Sequence, residues 1–321
     1  MSSRPVLWIT RRLSKKTIER ARIDYEVVMD EADEPAPAET IIARSAQVDA
    51  CIPCHSEIFS ADVVNRLSPR MKIIANHSVG VDHCDLDALK ARGIVVTNTP
   101  DVLSDATAEI AMLLLLGTAR RAVEGDSLMR TAAWTDWSPS FMVGKQVTGK
   151  RLGIVGMGKV GRVMARRARG FDMQVHYHNR HRLSEHEEAG AVYHESLASL
   201  LAVSEFLSLH CPATGETRGL LDEQAFSHLP QGAIVINTAR GALIDDDALL
   251  SAIESGKVAG AGLDCFNTEP GGNPAFARYP SIFMLPHIGS ATSDTRDAMG
   301  FRALDNLNAY FAGSEPLDRL V

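Results

Sequence analysis

Residues 152–161 read Leu152-Gly153-Ile154-Val155-Gly156-Met157-Gly158-Lys159-Val160-Gly161. An apolar strand runs into a glycine-rich turn, and the spacing after it predicts a helix over 160–170. Gly156, Gly158 and Gly161 form the pattern G-x-G-x-x-G. In a chain with 24 glycines such a match means little alone, and the strand before and helix after give it weight. Gly156 permits the tight turn and Gly158 lets the backbone approach a pyrophosphate. Gly161 allows close packing of helix on strand, and the helix start at Lys159 and Val160 supplies aligned N–H donors. The stretch reads as a dinucleotide site; the bland alternative is a purely structural strand–turn–helix.

The end of the next strand bears on which dinucleotide. An NAD site places a carboxylate about 20 residues past the glycines, where it binds the ribose hydroxyls. Here the stretch is Val175-His176-Tyr177-His178-Asn179-Arg180-His181-Arg182, with no acid in it. Asn179 stands where the carboxylate belongs, and a guanidinium beside it would accept a 2′-phosphate that a carboxylate repels. NADP(H) is therefore the expected cofactor, with Arg180 the first choice for the phosphate and Arg182 the second. NAD(H) is the alternative cofactor, and a solvated basic loop the alternative reading of the arginines.

Short apolar runs alternate with helical stretches on both sides of this unit, the pattern of doubly wound parallel α/β sheets. Upstream, strands are expected at 6–10, 25–29, 50–54, 71–75 and 95–97, with helices at 15–22, 61–67 and 86–92. Downstream, strands are expected at 174–178, 206–209, 233–237, 260–264 and 282–285, and a last helix at 295–311. That is more strands than one sheet usually holds, and 321 residues are about twice a single-domain length, so two sheets are expected. Between the blocks, 105–123 reads as one long helix carrying the apolar run 110–116. A helix apolar on most sides is buried in its own domain or against another subunit.

Three strand ends downstream carry chemistry: Asn237-Thr238-Ala239-Arg240-Gly241, Asp264-Cys265-Phe266-Asn267-Thr268-Glu269-Pro270 and Pro286-His287-Ile288-Gly289. Carboxyl ends of parallel strands face the ligand crevice, so Arg240, Glu269 and His287 are expected to converge beside a nicotinamide. Hydride transfer to a 2-keto acid needs a proton donor for the nascent alkoxide and a cation for the carboxylate. His287 suits the first role, with Glu269 fixing its tautomer and keeping it protonated. Arg240 suits the second, holding the carboxylate and polarising the ketone. Asp264 is a candidate for the nicotinamide carboxamide.

Through the motifs at 156–161, 237–241, 262–270 and 286–290 the chain resembles the D-2-hydroxyacid dehydrogenases along essentially its whole length. It is most similar to the glyoxylate/hydroxypyruvate reductases, through 78–94, 99–116 and the pair Trp134 and Trp137. The resemblance implies a Rossmann cofactor domain at 102–288 inserted in a flavodoxin-like substrate domain formed by 1–101 and 289–321. It implies substrate carboxylate binding by the amides of Val79 and Gly80, and a nicotinamide-side role for Thr107. Cys211, Pro212 and Thr217 would cover the adenosine, with Thr238, Ala239 and Gly289 among the cofactor contacts. It further implies a homodimer built on the 105–123 helix, with Trp137 a candidate to reach the partner's active site. Cys54 is a departure that would tune the substrate pocket.

Composition bounds the rest. With 33 Lys+Arg against 40 Asp+Glu the net charge is −7, a poor prior for nucleic-acid binding. Five cysteines suit a reducing compartment, and no apolar stretch reaches the roughly 20 residues of a membrane span, so a cytoplasmic protein is expected. The start at 1–12 has too short an apolar run for a signal peptide. The spacing of Cys51 and Cys54 reads as buried thiols. His176, His178 and His181 read as adenine-side packing or solvated side chains, so no metal is expected. Arg166, Arg167 and Arg169 read as a solvated helix face. A dinucleotide-sensing regulator and a dehydrogenase of another 2-hydroxy acid remain alternatives. Formate dehydrogenase is disfavoured, because that relative pairs its histidine with glutamine.

Overall fold

A computed structural model describes residues 4–321, so the first three residues of the leader reading lie outside the described residues. The chain divides into two compact units, one of residues up to 103 together with 291–321, the other of 104–290.

The first unit opens with β1 (Val6–Ile9), α1 (Lys15–Asp24), β2 (Glu26–Val28), α2 (Ala38–Ser45), β3 (Ala50–Ile52), α3 (Ala61–Arg66), β4 (Ile73–Ala75), α4 (Leu86–Ala91) and β5 (Val95–Thr97). Its five strands are all parallel in the order β2-β1-β3-β4-β5, the flavodoxin-like order. Alternation decides which side chain covers which face. Leu7, Ile9, Ile52 and Ile73 point to one core, Trp8, Cys51, Ile74 and Val96 to the other. Helix starts are written in the sequence: Ser14, Ser60 and Asp85 each accept a backbone N–H of the first turn.

The second unit comprises α5 (Ser104–Ala119), α6 (Ala122–Arg130), β6 (Arg151–Val155), α7 (Lys159–Arg169), β7 (Gln174–His178), α8 (Glu185–Glu188), β8 (Val192–Tyr193), α9 (Leu197–Leu201), β9 (Phe206–Leu209), α10 (Glu223–His228), β10 (Ala233–Asn237), α11 (Asp246–Glu254), β11 (Val258–Leu263) and β12 (Ile282–Met284). Its seven parallel strands run β12-β11-β10-β9-β6-β7-β8. That is the Rossmann order with one strand added, and it reverses between β6 and β9, where such sheets open a crevice. The chain then returns to the first unit as α12 (Ser293–Phe311), whose Ala303, Leu304 and Leu307 cover the face bearing Leu7 and Ile9.

The fold is thus two parallel-sheet α/β domains. The helix expected over 105–123 is shorter than that. Lys145 N–H takes the Ala119 carbonyl at 2.7 Å, and Arg121 turns left-handed at φ 55 before α6 begins. A chain whose terminal carbonyl is claimed by another segment has no partner for the next turn. The arginine face of α7 is likewise not simply solvated. Arg166 and Arg167 pair with Asp105 at 3.1 and 3.0 Å, Arg167 also reaches Glu109, and Arg169 donates to the Glu188 carbonyl. All five cysteines are unbridged. No helix among the described residues is long and apolar enough to cross a membrane.

Candidate active site

The glycine turn follows β6 at the reversal of strand order. Gly156 has φ 93, and a Cβ there would meet the backbone of His210 and Cys211 at the end of β9, 2.5 Å from the Cys211 nitrogen. A Cβ on Gly161 would strike the Gly156 carbonyl, so that glycine is required by packing. Gly158 differs: nothing lies within 4 Å of where its Cβ would be. No protein atom demands glycine there, and the space above it is left open at the start of α7. That helix has no side-chain cap on its first amides. The turn fits a pyrophosphate laid on uncapped N–H groups.

Around it stand the remaining expected residues of this unit. Asn179 accepts the Met157 N–H at 2.6 Å, tying the glycine turn to the end of β7. Arg180 is exposed, and its ion-pair partner among the described residues is Glu216, at 3.9 Å. Arg182 is directed elsewhere. Its Nε and Nη2 bond both oxygens of Glu188 at 2.7 and 3.0 Å. The Thr217 hydroxyl donates to the Pro212 carbonyl, so it shapes the loop after β9. Thr238, at the end of β10, buries its hydroxyl with no hydrogen-bond partner among the described residues. A buried polar atom without a partner at the mouth of a crevice fits a ligand group that would supply one.

The dyad is close. His287 Nδ1 lies 2.6 Å from Glu269 Oε2, and the other Glu269 oxygen accepts the Phe266 N–H at 2.8 Å. His287 has φ 53, a left-handed backbone that histidine adopts more readily than most residues. That turn is held by a residue whose role sequence reasoning missed. Asp264, buried at the end of β11, accepts the Ile288 N–H at 2.8 Å and the Gly289 N–H at 2.7 Å. Burial pushes its carboxyl pKa up, the two amides and His287 pulling the other way. A Cβ on Gly289 would sit 3.2 Å from Asp264 and 3.4 Å from Thr107, so these three residues of the expected cofactor set are neighbours. Asn237 was also missed. Its side chain accepts the Ala239 N–H at 3.0 Å and donates to the Arg240 carbonyl at 2.7 Å, folding the turn that presents Arg240. Arg240 itself is half-buried and donates to the Ala239 carbonyl. A buried asparagine or aspartate as the last polar residue of an apolar strand was the available signal for both.

In the first unit, Val79 and Gly80 follow β4 in an exposed loop. Their carbonyls are held by the Asn98 amide at 2.8 Å and the Ser78 hydroxyl at 2.7 Å. Cys54 is half-buried, and burial pushes its thiol pKa up to about 12. Two of the discounted histidines are tied to His194: His176 Nδ1 meets His194 Nε2 at 2.9 Å, and His178 Nδ1 meets the His194 carbonyl at 2.9 Å. Trp137 is 69% exposed, in a segment that also exposes Met129, Trp134 and Val143.

Residues 112–289 match the family model of the D-isomer specific 2-hydroxyacid dehydrogenase NAD binding domain. The chain is 44% identical to a glycerate dehydrogenase of Hyphomicrobium methylovorum, over 98% of each chain. It is 39% identical to a glyoxylate reductase of Thermococcus kodakarensis, over 98% of this chain and 95% of that one. Among solved structures, it superposes with TM-score 0.87 on an NADPH-dependent glyoxylate/hydroxypyruvate reductase of Sinorhizobium meliloti, 31% identical, covering 99% of this chain and 98% of that one.

Proposed function

The chain belongs to the D-isomer specific 2-hydroxyacid dehydrogenase family and is an NAD(P)-dependent enzyme, and from that premise we propose that it reduces glyoxylate and hydroxypyruvate to glycolate and D-glycerate with NADPH. The observation that carries the chemistry is the 2.6 Å contact of His287 with Glu269. With Nδ1 turned to Glu269, Nε2 is the nitrogen assigned to the substrate oxygen. His287 delivers its proton there as the carbonyl becomes an alkoxide, and Glu269 stabilises the ring's charge before that transfer. A nicotinamide bound in the crevice supplies the hydride. Arg240 holds the substrate carboxylate and orients the ketone, on a turn that Asn237 pins. Val79 and Gly80 are assigned to the same carboxylate on the family resemblance alone.

NADPH is favoured by what stands at the end of β7. Asn179 directs its oxygen to the glycine turn, no carboxylate occupies that position, and Arg180 projects beside it. The exposed apolar residues of 113–143 support a homodimer, with Trp137 assigned to the partner's site. A panel of 2-keto acids with NADPH and NADH side by side tests the reading. Glyoxylate and hydroxypyruvate are expected to lead with NADPH, and His287→Ala to lower kcat by about 10²–10⁴-fold. No turnover across the panel despite tight NADPH binding would leave a sensor instead. An NADPH Michaelis constant unmoved in Arg180→Ala would refute the phosphate assignment.

A further inference from the structure

The turn at 179–183 is fastened at both ends and open only in the middle. At one end Asn179 accepts the Met157 N–H. At the other, the Tyr177 phenol oxygen accepts the Leu183 N–H at 3.1 Å and donates its own proton to Glu188 Oε1 at 2.6 Å. Glu188 is a buried carboxylate, and Arg182 closes on it with two nitrogens. The same short helix is tied to α7 twice, by Arg162 on Glu187 at 2.6 Å and by Arg169 on the Glu188 carbonyl at 3.1 Å. A charge buried this way without a partner would be costly, and its full complement of bonds explains why it persists.

We propose that Glu188, clamped by Tyr177 and Arg182, is a positioning residue for cofactor choice: it holds the turn so that Arg180 alone meets a 2′-phosphate. The proposal rests on the NADPH reading above and extends it. Arg182 then has a different task from the one its position suggests. It neutralises a carboxylate that would otherwise repel a phosphate dianion from inside the same turn. Neither Glu188 nor Tyr177 touches the cofactor in this scheme; both act through Arg180. The carboxyl is held down at about 2, first by Arg182 and then by Tyr177, so the clamp stays charged throughout the working range.

Titration calorimetry of the intact protein with NADP⁺ and with NAD⁺ tests this in the wild type, Arg180→Ala, Glu188→Gln and Tyr177→Phe. Glu188→Gln and Tyr177→Phe are each expected to weaken NADP⁺ binding by about fivefold or more while NAD⁺ binding moves by less than about twofold. Tyr177→Phe keeps the buried ring and serves if Glu188→Gln folds poorly. Tighter NADP⁺ binding in Glu188→Gln would mean that Arg182, once released, is itself a phosphate ligand, and overturns the proposal. So would equal losses for both dinucleotides, which mark a merely structural pair. If the preference for NADP⁺ disappears in Arg180→Ala but survives both other variants, only the clamp is wrong. A wild type without that preference, indifferent to Arg180→Ala, removes the cofactor reading and the clamp together.

Discussion

Thr238 keeps a hydroxyl buried and without a hydrogen-bond partner among the described residues, at a cost of about 1–3 kcal/mol for a group of this kind. Its removal should therefore separate folding from binding. Thr238→Val is expected to leave the melting temperature unchanged or higher while weakening dinucleotide binding by about tenfold, read by calorimetry beside a thermal scan. His77 carries a pH dependence of its own. Burial holds its pKa at about 4, below the 6.5 of the unfolded chain. The unfolded state therefore binds the extra proton first. The associated stability is complete above pH 6.5 and is lost as pH falls toward 4, about 3 kcal/mol by the acid end. Urea unfolding at pH 7 and pH 4.5 should show this loss, and His77→Gln should flatten it. Arg240, Glu269 and His287 were legible as residue types at strand ends. Asn237 was not, and Asp264 was read there only as a cofactor contact, because their bonds to backbone groups depend on positions that only the folded turn defines.

At the scale of elements, alternation and capping residues marked most strands and helices, and packing decided where several of them stop. The apolar run of α5 predicted a helix to 123, yet Lys145, 26 residues past that helix's Ala119, ends it by taking that residue's carbonyl. α2 went unread because Pro35 and Pro37 precede it and no side chain caps its start. Close approach is the other tertiary property. Gly300 of α12 lies against Thr17 of α1, where a Cβ would overlap the threonine side chain. Gly300→Ala is expected to destabilise the first unit by about 1–3 kcal/mol despite its gain in helix propensity, measured by urea titration. Gly161→Ala should act locally instead, lifting α7 from β6 and weakening dinucleotide binding.

For the whole molecule, the net charge of −7 predicts little about ligands, since the proposed cofactor and substrate are both anions met by local arginines. Large apolar side chains stand exposed at intervals from Leu113 to Val143, and the homodimer proposal rests on them. Light scattering after gel filtration is expected to give about twice 34.8 kDa, and Met129→Glu with Trp134→Glu to shift the protein toward the monomer. A monomeric wild type would remove the dimer reading. By itself the sequence determined the alternation of strand and helix, the glycine turn, and the residue types at the strand ends, because each is set by neighbours within a few positions. Only the tertiary structure decided that α5 ends at Ala119 and that Arg182 belongs to Glu188. Those outcomes depend on partners that compete for the same carbonyl or charge, and such competition is resolved by packing rather than by local spacing.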